Sequence, residues 1–312
     1  MLSQAASGTK YTWTGSTSTD WRTPSNWNPS GVPGPSDTVV IVSSASNEPI
    51  ITQSDTVAKL IMTSGTLDLG ALKLTVTDSA FFNGGTITGT AQYAVNVQGA
   101  YAKFAGTQVD ADVYVACNTL LLDGSTFNAI CHFKHTGGST STGQGGNTFN
   151  DEVIIENTGG ILKIAESNPN TVNDDLRLYT YGNRDINVSD AGAWFNGDVY
   201  VNSTGTGGIS FGYAGVSIDT LTSGKVIAVG DSGFTTGTLL IKNLVQLGSS
   251  SQILTLTGTG VLNLMTCQFE ASCTFSAPSI VAADCIFSDE AEFEQTGAWT
   301  TVWSGRNVFN GA

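Results

Sequence analysis

This chain has little of what most macromolecular partners demand. Of 312 residues only 12 are Lys or Arg, against 26 Asp or Glu, so the formal net charge is −14. Phosphate backbones are held by stripes of basic side chains, so nucleic acid is not an expected partner. Anionic membrane surfaces are disfavoured for the same reason. No apolar run approaches the roughly 20 residues of a transmembrane helix, which argues against membrane insertion. The opening "MLSQAASGTK" lacks the basic and long apolar regions of a signal peptide and reads as the start of a mature domain with an initiator Met.

Groups that perform chemistry are equally sparse. There are two histidines, His132 and His135, three apart on a strand-like segment, which places them on opposite faces and makes a shared metal improbable. The five cysteines are an odd number without a CxxC pair, which argues against a disulfide framework and a zinc site. All five lie in apolar surroundings such as "VYVACNTLLL" and read as buried small hydrophobes. A disulfide between stacked neighbours is the alternative. No nucleophile elbow or Ser/His/Asp order is present, and "GGSTSTGQGG" (137–146) lacks the Lys and the strand-to-helix context of a phosphate loop. That segment reads as a flexible loop bulging from the fold. No catalytic residue and no obligatory cofactor are assigned.

What remains is 37 glycines, 40% hydrophobic residues, and polar positions filled mainly by Ser, Thr and Asn. This mixture suits short strands joined by tight turns, and no stretch of ten residues shows helical periodicity. Sliding the sequence on itself reveals a repeat. "TFNDEVII" at Phe149 is followed by "TVNDDLRL" at Val172 and then by "WFNGDVYV" at Phe195. The same step, roughly 23 residues, leads on to Ile218 and backward to "TFNAICHF" at Phe127. Behind each anchor an apolar pair recurs: Cys131/Phe133, Val153/Ile155, Leu176/Leu178, Val199/Val201. Further strands follow at 161–164, 186–188 and 209–211. Two or three short strands per period of about 23 residues predict an all-β, right-handed parallel β-helix whose coils stack about 4.8 Å apart.

A longer period overlies the first. "STFNAICHFKHTG" (125–137) matches "CIFSDEAEFEQTG" (285–297), and Asn147/Phe149 match Asn307/Phe309, all at an offset of 160. The final "GRNVFNGA" thus repeats "GGNTFNDEV" without the strand that should follow. The expectation is a truncated repeat, within a piece of a longer protein or awaiting another chain. Residues 1–42 read as an N-terminal cap and first strand, and 43–312 as one continuous solenoid.

The segment "YTWTGSTSTDWRTPSNWNPSGVPGPSDTVVIV" brings Trp13, Trp21 and Trp27 together with Pro29, Pro33 and Pro35. Large aromatics suit an end cap; exposed, they would form a sugar-stacking platform. The pattern W-x-G-x-x-x-x-D-W-x-x-x-x-N-W, followed by V-P, D-x-V-x-I and "NEPII" (47–51), resembles the opening of large secreted, repetitive surface proteins of Bacteroidota. The later units "NTFNDEVIIENTG" (147–159) and "WFNGDVYVNSTG" (194–205) resemble their repeats. The resemblance implies an exported, adhesin-like β-helix and brings no catalytic residues with it.

Two surface patterns have functional potential. Asp151/Glu152, Asp174/Asp175 and Asp198 sit just after successive anchors, with Asp289/Glu290 in the later block, so stacking coils would align them in a column. Neighbouring charges about 5 Å apart repel by roughly 1 kcal/mol or less in water, which turn chemistry tolerates; hard oxygen ligands in a column would also suit Ca²⁺. Exposed Tyr179, Tyr181, Trp194, Tyr200 and Tyr213 are the candidates for a glycan-binding face. Arg177 and Arg184 lie near the acids, but so acidic a surface suits anionic polysaccharides poorly. The expected function is non-enzymatic: a secreted or cell-surface structural, adhesin-like repeat protein. Carbohydrate binding or cleavage, and end-to-end assembly with copies of itself, are the alternatives.

Overall fold

The computed structural model describes residues 8–42, 45–298 and 302–311; the opening Met1–Ser7 lies outside them. The chain winds into a parallel β-solenoid of about 12 turns with about 22 residues per turn. A first face carries a twelve-stranded sheet beginning in the N-terminal segment, and a second face carries another of twelve strands running from Thr66–Asp68 to Val308–Phe309. A third face has eight strands, from Ser141–Thr142 to Val302–Ser304. In the earlier coils, single long strands such as Val113–Asp123 serve two faces: the first half pairs with Cys131–His135, while Leu120 N in the second half donates to Ser141 Oγ.

The apolar pairs read from the sequence are in register. Cys131, Val153, Leu176 and Val199 stack in successive coils, as do Phe133, Ile155, Leu178 and Val201. Alternation does the rest: Leu176–Thr180 buries Leu176, Leu178 and Thr180 and turns Arg177 and Tyr179 outward. The anchors form the core of the second face. Phe127 stacks on Phe149 at 5.1 Å and 8°, and Phe269, Phe287 and Phe309 stack at 5.7 and 5.1 Å. Burying Phe127, Phe149, Phe269 or Phe287 removes enough apolar surface to stabilise by about 2–3 kcal/mol each, whereas Phe309 is half exposed.

One expectation about the repeat is corrected. The anchor partner of Phe195 is Leu221, not Ile218, because residues 212–218 lengthen that coil; Ile218 is 60% exposed. Coil length also varies. Val115 meets its partner Phe133 after a short coil, whereas Val201 reaches its partner Val229 only after a far longer one. The added residues lie largely between the paired strands, so the register of the faces is kept while the coil lengthens. The 160-residue offset is the sum of seven such coils, from Phe149 to Phe309 on the second face.

The segment 137–146 is not a bulging loop either. Ser141 is buried in the first strand of the third face, and Gly143 N donates to Lys163 O at 2.8 Å. Its glycines are there because coils approach closely: a Cβ on Gly145, at φ +82°, would lie 2.1 Å from Asn168 O.

The N-terminal aromatics form a cap. Trp13, Trp21 and Trp27 are 1%, 0% and 3% exposed, and Trp27 packs edge-on against both others at 4.8 Å. Their indoles are unavailable to a sugar, so the platform reading does not hold for them. Beyond Ile227–Phe234 the twelve-stranded first sheet stops, and a three-stranded sheet (Gln252–Thr255, Cys273–Ala277, Ala291–Gln295) takes its place. Gln252 spans the break with its side chain, bonding both N and O of Ile227.

Candidate functional site

The repeated phrase Gly-x-Asn-x-Phe-Asn has a role for each named residue. Gly145 and Gly305 turn the corner with φ of +82° and +65°. Asn147, two before the anchor, is buried; its Oδ1 accepts from Ser125 N at 3.0 Å in one coil, and its own N donates to Asn170 Oδ1 at 2.9 Å in the next. Asn307 repeats this toward Cys285 N at 3.0 Å. The second Asn faces outward. Asn196 donates to Asn173, Asn173 to Asn150, Asn150 to Asn128 and Asn128 to Asp110, at 2.7, 2.6, 2.6 and 2.5 Å. Asn128, Asn150 and Asn173 each accept from one coil and donate to another, giving a continuous ladder along one corner.

The acidic residues align beside this ladder, and each places one oxygen in a hydrogen bond of the fold. Asp151 and Asp174 each accept the next residue's N–H, at 2.8 and 2.7 Å. Asp175 accepts from Asp198 N at 3.1 Å and Asp198 from Val226 N at 3.0 Å, so these two tie coils together. Glu152 accepts from Arg177 Nε at 2.5 Å. Among the described residues no group of three His, Cys, Asp or Glu converges as a metal ligand set would.

The five candidate glycan residues divide among three faces. Tyr179, Tyr181 and Tyr200 lie together on the outside of the first face. Trp194, 49% exposed, stands on the second, and Tyr213, 52% exposed, follows the strand Ile209–Phe211 of the third. A single groove lined by all five is therefore ruled out by the register, because strands one third of a coil apart point in different directions.

The first-face group is nevertheless organised. Tyr179 and Tyr181 hold their rings nearly parallel, 6.0 Å apart at 15°, and Tyr179 Oη donates to Asp231 Oδ1 at 3.2 Å. The Arg177 guanidinium sits 4.4 Å from the Tyr200 ring centroid. Burial raises the hydroxyl pKa of all three tyrosines, which keeps them neutral donors. In the neighbouring coils Glu156 accepts from His132 Nε2 and pairs with Lys134 Nζ, both at 2.9 Å. Those two contacts, His132 first, hold the Glu156 carboxyl down to about 2. His132 also packs edge-on to Tyr114 at 5.1 Å. His135, by contrast, is fully buried with Nδ1 2.9 Å from Asn157 Oδ1, so the two histidines do face opposite ways.

A domain-family model matches part of this architecture. Residues 12–105, the cap and the first coils, are similar to a domain of unknown function (DUF8693). No curated protein and no solved structure gives a match.

Sequence reasoning missed two features. The outer Asn ladder was legible in the Asn that follows Phe127, Phe149, Val172 and Phe195, because identical amides at one register position must meet between stacked coils. Asp219 had no such signal, since its register depends on the lengthened coil. It is buried in the same column as Asn147 and Asn170, accepts from Ser189 Oγ at 2.5 Å, and its Oδ1 has no partner. Burial pushes its carboxyl up to about 8.

Proposed function

We propose that this β-solenoid is a non-enzymatic structural repeat protein of the secreted or cell-surface, adhesin-like kind, acting as a stiff rod that carries a contact face. The observation that carries the reading is the pair of Asn columns crossing the coils, inside and outside the same corner. Such ladders join coils one after another and resist bending, which suits a spacer. The titratable groups nearest to functional chemistry are engaged in holding coils together: Glu152 with Arg177, Glu156 with His132 and Lys134, Asp198 with Val226 N. The net charge of −14 supports an outward, soluble setting, as does the resemblance to Bacteroidota surface repeats. Fractionating the source cells and shaving intact cells with protease tests it. Loss of the protein on shaving, or its presence in the medium, supports the reading; recovery only from the protected cytosol refutes it.

A second reading is favoured by the parallel Tyr179/Tyr181 pair: neutral glycan contact on the first face. Aromatic faces stack on sugar rings, while the Arg177–Glu152 pair and Asp231, net negative together, offer hydrogen bonds without attraction for an anion. A glycan array with wild type and Tyr179→Ala/Tyr181→Ala decides it. Neutral glycans bound by wild type and lost in the variant support this reading, and an empty array removes it.

A further inference from the structure

The buried column two residues before each anchor carries Asn147, Asn170 and Asp219 in the middle of the solenoid and ends on Cys267, Cys285 and Asn307. It places two cysteines in consecutive coils. Phe269 pairs with Phe287, and Ile286 N donates to Cys267 O at 2.8 Å, so Cys267 and Cys285 are direct neighbours across one strand spacing of about 4.8 Å. That falls within the roughly 4.4–6.8 Å Cα separation that a disulfide spans. Both residues are buried, 2% and 0% exposed, and both carry free thiols in this structure. Each thiol donates to a backbone carbonyl, Cys267 Sγ to Ile241 O at 3.1 Å and Cys285 Sγ to Ala283 O at 3.4 Å. Among the described residues no other cysteine is so placed: Cys131 stacks on Val113 and Val153, Cys117 on Gly99 and His135, and Cys273 on Gln252 and Ala291.

We propose that Cys267 and Cys285 are a cross-linking site, joined as an inter-coil disulfide when the chain folds in the presence of a disulfide oxidant. The chemistry is thiol–disulfide exchange. The thiolate of one cysteine attacks an oxidant disulfide such as oxidised glutathione, forming a mixed disulfide and expelling one glutathione thiolate. The thiolate of the other attacks the protein sulfur of that mixed disulfide and expels the second. Two protein thiols lose two electrons and two protons, and one glutathione disulfide becomes two glutathione thiols. Because the native pair is buried, exchange takes place during folding, before these coils close. The link closes a single coil immediately after the break in the first face, where the three-stranded sheet replaces the long one. A covalent bond there adds to the sheet pairing of these coils on the second face, beyond the end of the first twelve-stranded sheet.

The site is independent of the proposed surface location, because the test supplies the oxidant. The full chain, denatured and reduced, is refolded in a glutathione redox mixture and in parallel under excess reductant. Thiols are then alkylated in denaturant and the peptides mapped by mass spectrometry. The expected result after oxidative refolding is three alkylated cysteines, Cys117, Cys131 and Cys273, and one cross-linked peptide pair joining Cys267 to Cys285. Melting then occurs several degrees higher than in the reduced protein, and Cys267→Ala and Cys285→Ala each lose that difference. Alanine is already present in this column at Ala193, so both variants fit it; the wild-type peptide map decides even if neither folds. Five alkylated cysteines, a persistent glutathione adduct, or a cross-link to any other cysteine or between chains would overturn the proposal.

Discussion

Asp219→Asn tests the internal column most directly. Asp219 sits where Asn170 and Asn147 sit two and three coils earlier, and its Oδ2 accepts from Ser189 Oγ at 2.5 Å. A carboxylate there is buried, with one oxygen unpartnered, so the folded protein holds its proton up to about 8 against 3.8 for a free side chain. A raised folded pKa means that the unfolded chain releases the proton first. The contribution of Asp219 to stability is therefore full below about pH 3.8 and is lost progressively as pH rises to about 8. At 1.36 kcal/mol per pH unit, the gap is worth on the order of 6 kcal/mol above pH 8 and about 4 at pH 7, as an upper bound. Asparagine has no proton to lose and can still meet Ser189 Oγ with its amide group. The variant is expected to be more stable at neutral pH and to lack the decline from pH 4 to 8. Solenoids open locally, so hydrogen exchange of residues 186–221 at several pH values is the proper assay, with Trp194 fluorescence in denaturant as a second probe. Equal pH slopes in wild type and variant would refute the reasoning.

Other consequences are simpler. Phe149→Ala removes a ring stacked on Phe127 and should cost about 3–5 kcal/mol, seen as faster exchange in the coils on either side. Asn150→Ala breaks the outer ladder at both neighbours and should cost about 1–2 kcal/mol in denaturant melts, whereas Asn150→Ser at this exposed corner should cost less. Because Glu156 is depressed to about 2 from 4.5, its contribution is present above pH 4.5 and lost as pH falls toward 2; Glu156→Gln should flatten that part of the acid unfolding curve. Millimolar Ca²⁺ or a chelator should leave the melting temperature unchanged, since Asp151, Asp174, Asp175 and Asp198 each spend an oxygen on backbone N–H groups; a rise with Ca²⁺ would contradict that account.

The sequence by itself determined the coil. Period, anchors and inward-facing pairs were all visible, because a parallel stack brings the same position of each coil into contact and so repeats the same chemical requirement. The alignment of the acids followed from the same rule. The sequence did not determine what happens where the period changes. The jump from Phe195 to Leu221 rather than Ile218, the buried Asp219 and the strand inside the glycine-rich 137–146 all depend on which backbone groups pair between coils. Facing was likewise a tertiary decision. Tyr179 and Tyr200 share a surface while Trp194 and Tyr213 leave it, because the corners between them rotate the chain through the three faces. Cys267 and Cys285 became neighbours for the same reason: their separation along the chain signals nothing until one short coil sets the second upon the first.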